Sequence, residues 1–568
     1  MTARLELACA GGFEAGPRAL LWVLPAAHRP VRAALVCVQP FAEEANLSRR
    51  VLVAQARRLA ARGVAVLVPD VYGTGDSAGE FDDASLARWR DDVVRAAALA
   101  ARRFGRAPLL WGVRFGALLA AHCAADAQAA ALLLWHPVRD GGAPVAQYRR
   151  MARLRGLLRA PVAAPQEADP AALAEPTGAT AAIELGGYRL DAGLIDAMQA
   201  LRWPQALPCP VLAPETGDAP GVPFWQALDA PDDEALFAAT ERLLDQWLAE
   251  HGGPAAPDAP AEPVPEQPEQ SGQPAAAEQA VSFGAPGRTL RGIVHAAAGR
   301  TGVVIVPGQP QTRVGSHRMF VQLARALAAA GHPALRYDLA GYGDSDGARA
   351  AYDAAPDDIA AAVAALRAAV PQLRQVVLWG LCDGATAAAL AAASPARAAG
   401  LVLLNPWVHD ESLRAQAMVQ DHYRGRLASP AFWRKLATGG VRIGPALAEA
   451  AGHLLRALRG RGAQQGSPAD RLRQALQRHR LPVCVLLSGQ DMTAAETGTL
   501  LARDAAWQRL AERLRIERLP QADHTLSRSE DLRAAIELTV GFLAAVASGS
   551  PPARPSSPSR PAPSAAAS

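Results

Sequence analysis

Cys382 stands between two glycines in Val376-Val-Leu-Trp-Gly380-Leu-Cys382-Asp-Gly384-Ala-Thr-Ala387, where a β-branched, apolar run gives way to an Ala-rich helix start. Strand, sharp turn and helix in that order make a nucleophile elbow, which thrusts the middle residue of Gly-x-Cys-x-Gly outward. Gly380 and Gly384 let the backbone pass where a side chain would collide with a neighbouring element. A thiol at a helix N-terminus is more readily ionised, so Cys382 is expected to attack acyl carbon. The bland alternative is a buried structural cysteine, the usual fate of a free Cys. A base must follow, and the chain order for such a turn is nucleophile, acid, histidine. Of the downstream histidines, His409, His422, His453, His479 and His524, only His524 lies beyond the last predicted strand, Arg515–Leu519, and just before the final helix. The orienting acid is expected at Asp491, where Pro482-Val-Cys-Val-Leu-Leu487-Ser-Gly489-Gln-Asp491 ends a buried strand. Asp491 would fix the imidazole tautomer and stabilise the imidazolium opposite a thiolate. Asp523 is badly placed to orient the ring of its neighbour, and Cys484 falls inside a strand. Oxyanion donors are expected in the backbone N–H groups of Asp383 and of Gln309, in Pro307-Gly308-Gln309-Pro310, because Pro310 has no N–H.

These residues need a sheet to position them, and the chain supplies one twice. Gly63-Val-Ala-Val-Leu-Val-Pro-Asp70-Val-Tyr-Gly73-Thr-Gly75-Asp76-Ser77 reappears as Gly331-His-Pro-Ala-Leu-Arg-Tyr-Asp338-Leu-Ala-Gly341-Tyr-Gly343-Asp344-Ser345. Leu110-Trp-Gly-Val-Arg114-Phe-Gly116 answers Leu378-Trp-Gly-Leu-Cys382-Asp-Gly384 at the same offset, so two copies of one fold stand in tandem. Short apolar strands alternating with amphipathic helices predict an α/β class with a doubly wound, mostly parallel sheet in each copy. The predicted division is 1–251, a Pro-rich disordered linker over 252–280, a second copy over 281–548, and a disordered Pro/Ser/Ala tail over 549–568. Helical insertions are expected at 139–206 and 405–480, each after the sixth strand, the place of a lid. Ser77 and Ser345 also sit in Gly-x-Ser-x-Gly, but a glycine-rich loop precedes each and no apolar helix follows, so neither is expected to be a nucleophile. Arg114 fills the nucleophile position of the first copy, and arginine cannot attack an acyl carbon or give up its proton. With Asp218 as a surviving acid and only His251 after it, the first copy is expected to be catalytically dead. Arg114 could bind an anionic group or sit in a structural salt bridge.

Composition narrows the classes. A net charge of +4 over 568 residues argues against a nucleic-acid partner. Six cysteines, Cys9, Cys37, Cys123, Cys209, Cys382 and Cys484, show neither CxxC nor Cys/His metal spacing, so no metal, cofactor or disulfide framework is expected. The N-terminus lacks an export signal and no apolar run reaches the length of a membrane span, which makes cytoplasm the default expectation.

Having these residues, the chain resembles a fusion of two α/β-hydrolase families found beside bacterial exosortase and exopolysaccharide genes. The first copy resembles exosortase A system-associated hydrolase 2, through Pro40-Phe-Ala-Glu-Glu-Ala-Asn-Leu-Ser-Arg-Arg50 and the run around Arg114. The second resembles hydrolase 1 of that system, through Val314-Gly-Ser-His-Arg318, Asn405-Pro-Trp-Val408, Leu427-Ala-Ser-Pro-Ala-Phe-Trp-Arg-Lys-Leu436 and Asp491-Met-Thr-Ala494. Gln309 stands where a second glycine would be expected. The resemblance implies two tandem α/β-hydrolase domains and a role near protein sorting and polysaccharide export. The expected activity is a Cys-His-Asp hydrolase or acyltransferase acting on a small ester or thioester, lipid- or saccharide-linked substrates included, with 1–251 as its intramolecular partner domain. The alternative is a non-catalytic scaffold or ligand-binding protein made of two degenerate hydrolase folds.

Overall fold

The computed structural model describes residues 3–159, 182–215, 222–227, 230–251, 278–349, 351–392, 396–409 and 466–549. In the N-terminal half the strands are β1 (Arg4–Ala10), β2 (Arg18–Leu24), β3 (Ala33–Val38), β4 (Val64–Pro69), β5 (Leu109–Val113), β6 (Leu132–Trp135), β7 (Ile183–Leu185), β8 (Tyr188–Leu190) and β9 (Val211–Leu212). A seven-stranded sheet runs β1-β2-β4-β3-β5-β6-β9, while β7 and β8 pair only with each other. The C-terminal half contributes β10 (Glu278–Ala285), β11 (Arg288–His295), β12 (Thr301–Val306), β13 (Ala334–Tyr337), β14 (Gln375–Leu381), β15 (Gly400–Leu404), β16 (Val483–Ser488) and β17 (Arg515–Leu519). Its sheet runs β10-β11-β13-β12-β14-β15-β16-β17, the same order carried one strand further. In each sheet the first two pairings are antiparallel and the rest parallel.

Every residue of β3, β4 and β12 is buried, as strands covered on both faces require. Successive side chains enter opposite cores: Val304 and Leu378 pack on one face of the second sheet, Val303, Val377 and Trp379 on the other. The helix Met319–Ala329 covers the second of these faces through Phe320, Leu323 and Leu327.

Some expected boundaries shift. The linker ends by residue 277 rather than 280, because Glu278, Gln279 and Ala280 already pair with His295, Val294 and Ile293 in a hairpin. The rest of the linker, 252–277, lies outside the described residues, as do 550–568 of the tail; Gly549 is the left-handed cap of the last helix, Ser529–Ser548. The insertion expected at 139–206 contains the helices Gly142–Arg159 and Ala192–Ala200 and the β7–β8 hairpin, with 160–181 outside the described residues. Of 405–480, residues 410–465 lie outside; a helix over Pro468–Arg478 follows, and Asn405 belongs to the end of β15 rather than to an insertion.

The two halves meet through their equivalent glycine-rich loops. Arg313 of the C-terminal half pairs with its own Asp338 and with Asp344 at 2.8 Å, and crosses to Asp76 at 2.7 Å. Arg49 of the N-terminal half holds its own Asp70 at 2.8 Å and crosses to Asp344 at 2.8 Å. Arg336 adds a second contact to Asp76 at 2.7 Å. Arg318 reaches into the first loop and donates to four carbonyls, Gly73, Gly75, Ser77 and Gly79, at 2.7 to 3.1 Å. All these side chains are buried, where paired charges in good geometry are tolerated and a single missing partner is expensive. The two halves therefore share one charged core at their junction.

Candidate active site

The turn after β14 has the conformation that an elbow demands. Cys382 sits at φ 57° and ψ −125°, a region that non-glycine residues enter only when their surroundings enforce it. The enforcement is visible in the backbone: the Cys382 N–H donates to the Leu404 carbonyl, and the Cys382 carbonyl accepts from Ala385, Thr386 and Trp407. A Cβ on Gly384 would come within 2.7 Å of the Gly308 nitrogen, and one on Gly380 within 2.6 Å of the Ala385 Cα. Both glycines are required by close approach, as their spacing implied. Cys382 is partly buried, whereas Cys484 is wholly buried inside β16, its thiol pKa pushed up to about 12 by that burial.

The structure brings Cys382, His524 and Asp491 together from three elements. His524 lies in the loop between β17 and the last helix, and its Nδ1 is 3.0 Å from Asp491 Oδ1. Its ring also hydrogen-bonds Cys382. Burial opposes a charge on this imidazole, but the hydrogen bonds to Asp491 and Cys382 outweigh it and raise the pKa to about 10. The raised pKa favours the charged form of the ring beside the Asp491 carboxylate. Asp491 is also the N-cap of the helix Met492–Arg503, where Oδ2 accepts the Ala494 N–H at 3.0 Å. Asp523 takes the Ser527 N–H and hydroxyl at 2.8 and 2.6 Å.

The oxyanion donors depart from expectation. The Gln309 N–H does point toward the elbow, but it donates to both oxygens of the Asp383 carboxylate at 3.1 Å. The Gly384 N–H donates to Asp383 Oδ1 at 3.0 Å. Of the two expected donors, Gln309 is therefore occupied by the Asp383 carboxylate rather than open. Burial pushes the Asp383 pKa up to about 6, with these N–H groups and His524 acting in the opposite direction.

Two supporting residues were not anticipated. Asn405, at the end of β15 with φ 47°, donates to Ser488 Oγ at 2.9 Å and to the His524 carbonyl at 3.2 Å, and accepts the Ser488 N–H at 2.8 Å. It ties the end of β15 to the acid strand β16 and to the histidine loop. His317 Nε2 lies 2.8 Å from the Thr525 carbonyl, beside His524. The His317 ring packs against Gly187 in the turn of the β7–β8 hairpin, which leaves no room for a Cβ there. Only the run of small, polar and aromatic residues Asn405-Pro-Trp after an apolar strand hinted at the first of these.

The decoy serines are structural in their contacts. Ser345 is buried, donates to the Asp338 carbonyl at 2.7 Å and accepts the Arg291 N–H at 3.0 Å; Ser77 makes the equivalent bonds to Asp70 and Ala19. In the first half the elbow persists without its chemistry. Arg114 has φ 55° and ψ −121°, pairs with Glu44 at 3.4 Å, and stacks over Trp225 at 4.7 Å. A cavity of about 80 Å³ near this half is lined by Phe41, Trp89, Phe115 and Tyr188 and closed by Arg313 and Arg318. Pockets for drug-sized ligands run to roughly 300–1,000 Å³, so this one is too small for a substrate, and it does not include Cys382. Among the described residues no group of three or more His, Cys, Asp and Glu is placed to hold a metal ion, and no helix is long and apolar enough to cross a membrane.

Residues 303–536 match the model of the Alpha/beta hydrolase family. The match places an α/β-hydrolase family domain in the C-terminal region. No curated protein sequence matches the chain. Among solved structures it is similar to an esterase of Pyrococcus furiosus, at 14% identity and TM-score 0.34 over 47% of this chain and 91% of that one. The α/β hydrolase GrgF from Penicillium sp. sh18 gives 17% identity and TM-score 0.32 over 48% and 99%. The haloalkane dehalogenase DatA from Agrobacterium tumefaciens C58 gives 20% identity and TM-score 0.30 over 47% and 97%.

Proposed function

We propose that the protein is a hydrolase or acyltransferase that cleaves an ester or thioester through Cys382, His524 and Asp491. The observation that carries this is His524, set between Asp491 at 3.0 Å and Cys382, with its pKa raised to about 10. An imidazolium beside sulfur favours the thiolate, the form of cysteine that attacks. Sulfur bonds to the acyl carbon, the carbonyl electron pair moves to oxygen, and collapse of that intermediate expels the leaving group, which takes the imidazolium proton. Water or another acceptor, deprotonated by neutral His524, then releases the acyl group and regenerates the thiol. Asp491 holds the ring so that one nitrogen always faces the sulfur.

In this proposal the N-terminal half is a non-catalytic partner. Its Arg114 is neutralised by Glu44, and its loop grips Arg318 next to His317, which in turn touches the histidine loop. The association with exosortase and polysaccharide export rests on the sequence resemblance of both halves. A scaffold made of two inactive folds is the competing function, favoured by Arg114 and by the occupied Gln309 donor. Labelling with a thiol-reactive acyl probe, followed by peptide mapping, separates the two. Modification confined to Cys382 and lost in His524→Ala is the enzymatic outcome; labelling spread over all exposed thiols, or none, is the outcome for a scaffold.

A further inference from the structure

We propose that Asp383 governs which acyl groups Cys382 can turn over, because its carboxylate occupies the Gln309 oxyanion donor and a substrate's carbonyl oxygen must displace it. This rests on the Cys382 chemistry proposed above. The geometry is specific. Asp383 follows the nucleophile directly, and its two oxygens take the N–H groups of Gln309 and Gly384. The first of these is a donor that an attacked carbonyl would need as its oxygen becomes negative. When sulfur bonds to the acyl carbon, the new oxyanion and the carboxylate would claim the same donor as like charges in contact, and like charges so close disfavour each other. Gly308 holds the carboxylate from the other side: a Cβ there would stand 2.6 Å from Asp383 Oδ1, so the loop is shaped around this side chain.

A neutral Asp383 carboxyl removes the clash of charges. The titratable groups around it are Cys382 on its own turn, His524 from the loop before the last helix, and Tyr352 from the short helix Tyr352–Ala354. Burial holds the Asp383 pKa at about 6, against 3.8 for an ordinary aspartate. The inhibitory anion is therefore absent well below pH 6 and complete well above it. Substrates with an uncharged acyl chain can place their carbonyl oxygen on the Gln309 N–H; substrates carrying an anion beside the carbonyl are excluded at neutral pH.

The test uses the full chain and p-nitrophenyl butyrate. Wild-type kcat/KM should fall as pH rises through about 6, after correction for the fraction of Cys382 that iodoacetamide alkylates at each pH. At pH 8, Asp383→Ala should raise kcat/KM by roughly tenfold to a hundredfold, since removing even one oxyanion donor elsewhere costs ~10²–10³ in rate. Asp383→Asn, a neutral occupant of the same space, should give a smaller gain and flatten the fall near pH 6. Iodoacetamide alkylation builds no oxyanion, so its rate should change far less than esterolysis. A rate for Asp383→Ala at or below wild type, with Cys382 still alkylated, would overturn the role of Asp383 and leave the thiol mechanism standing. Esterolysis that survives in Cys382→Ala would instead remove the thiol mechanism beneath it.

Discussion

The residue that most separates catalysis from architecture is Asp491, because one carboxylate serves two partners. Oδ1 lies 3.0 Å from His524 Nδ1, while Oδ2 caps the helix Met492–Arg503. Asp491→Asn can keep the cap through its carbonyl oxygen but presents the imidazole with the wrong partner. Its kcat/KM should fall on the order of a hundredfold to a thousandfold, less than the roughly 10⁴ known for a serine triad, because a thiol depends less on its base. Asp491→Ala should lose the cap as well, with a further ~0.5–2 kcal/mol of stability. Denaturant melts beside kinetics distinguish the two effects, and equal stability of the Asn and Ala variants would show that the cap contributes nothing. His524→Ala should cost at least as much as Asp491→Asn, and the double variant little more than the worse single. His524 also leaves a signature on stability. Its folded pKa of about 10 exceeds the unfolded 6.5, so its contribution is complete below pH 6.5 and disappears as pH rises through about 10. His524→Ala should therefore lose more stability at pH 6 than at pH 10.5, and a constant difference across that range would contradict the raised pKa.

At the scale of elements, the turn was legible where geometry follows directly from residue type. Gly380 and Gly384 bracket Cys382 because any Cβ would strike the helix or the β12 loop, and that requirement is written in the sequence as Gly-x-Cys-x-Gly. Asp491 was legible because it follows the buried apolar strand β16; His524 follows β17, a strand of mixed charged and apolar residues, and stood out by its place before the last helix. The fate of the Gln309 donor was not legible, because it depends on which way the Asp383 side chain turns, and spacing carries no information about a rotamer. Asn405 escaped for a related reason: its value lies in linking β15 to β16 and to the histidine loop, and a long-range pair leaves no local periodicity. Asn405→Ala should leave Ser488 without its partner and free the His524 carbonyl. A buried polar group left unsatisfied costs ~1–3 kcal/mol, so the melting temperature should fall, and kcat should drop with KM little changed. The elbow itself gives a sharper case. Gly384→Ala should push the Gly308–Gln309 loop away, lowering kcat/KM while Cys382 remains open to alkylation; unchanged esterolysis would mean that the loop does not serve the reaction.

At the scale of the molecule, a disordered linker over 252–280 would by itself leave the two halves free of each other. The junction contradicts that independence. Arg49 and Arg313 each hold an aspartate of their own half and one of the other, and Arg318 is gripped by carbonyls that only the first half supplies. An isolated C-terminal half would present Arg313, Arg318, Arg336 and Asp344 to water and lose the wall behind His317. Burial alone would raise the pKa values of Asp76 and Asp344, but Arg313 and Arg336 around the first, and Arg49 and Arg313 around the second, hold both well below the usual carboxylate range. Carboxylates depressed in this way stabilise the junction above the unfolded value of 3.8, and the contribution is lost as pH falls below it. A protease site placed in 252–277 of the full chain makes the consequence measurable. After cleavage at pH 7 the fragments should co-elute and retain most of the esterase activity, and they should still co-elute at pH 4, where both aspartates remain ionised in the junction. Arg313→Gln removes the cation shared by three buried carboxylates, a loss of ~3–5 kcal/mol for a broken buried pair, so the cleaved variant should already separate at pH 7 and lose activity with it. Fragments that part at pH 7 in the wild type, with the C-terminal piece fully active, would show that the charged junction neither joins the halves nor supports the histidine loop.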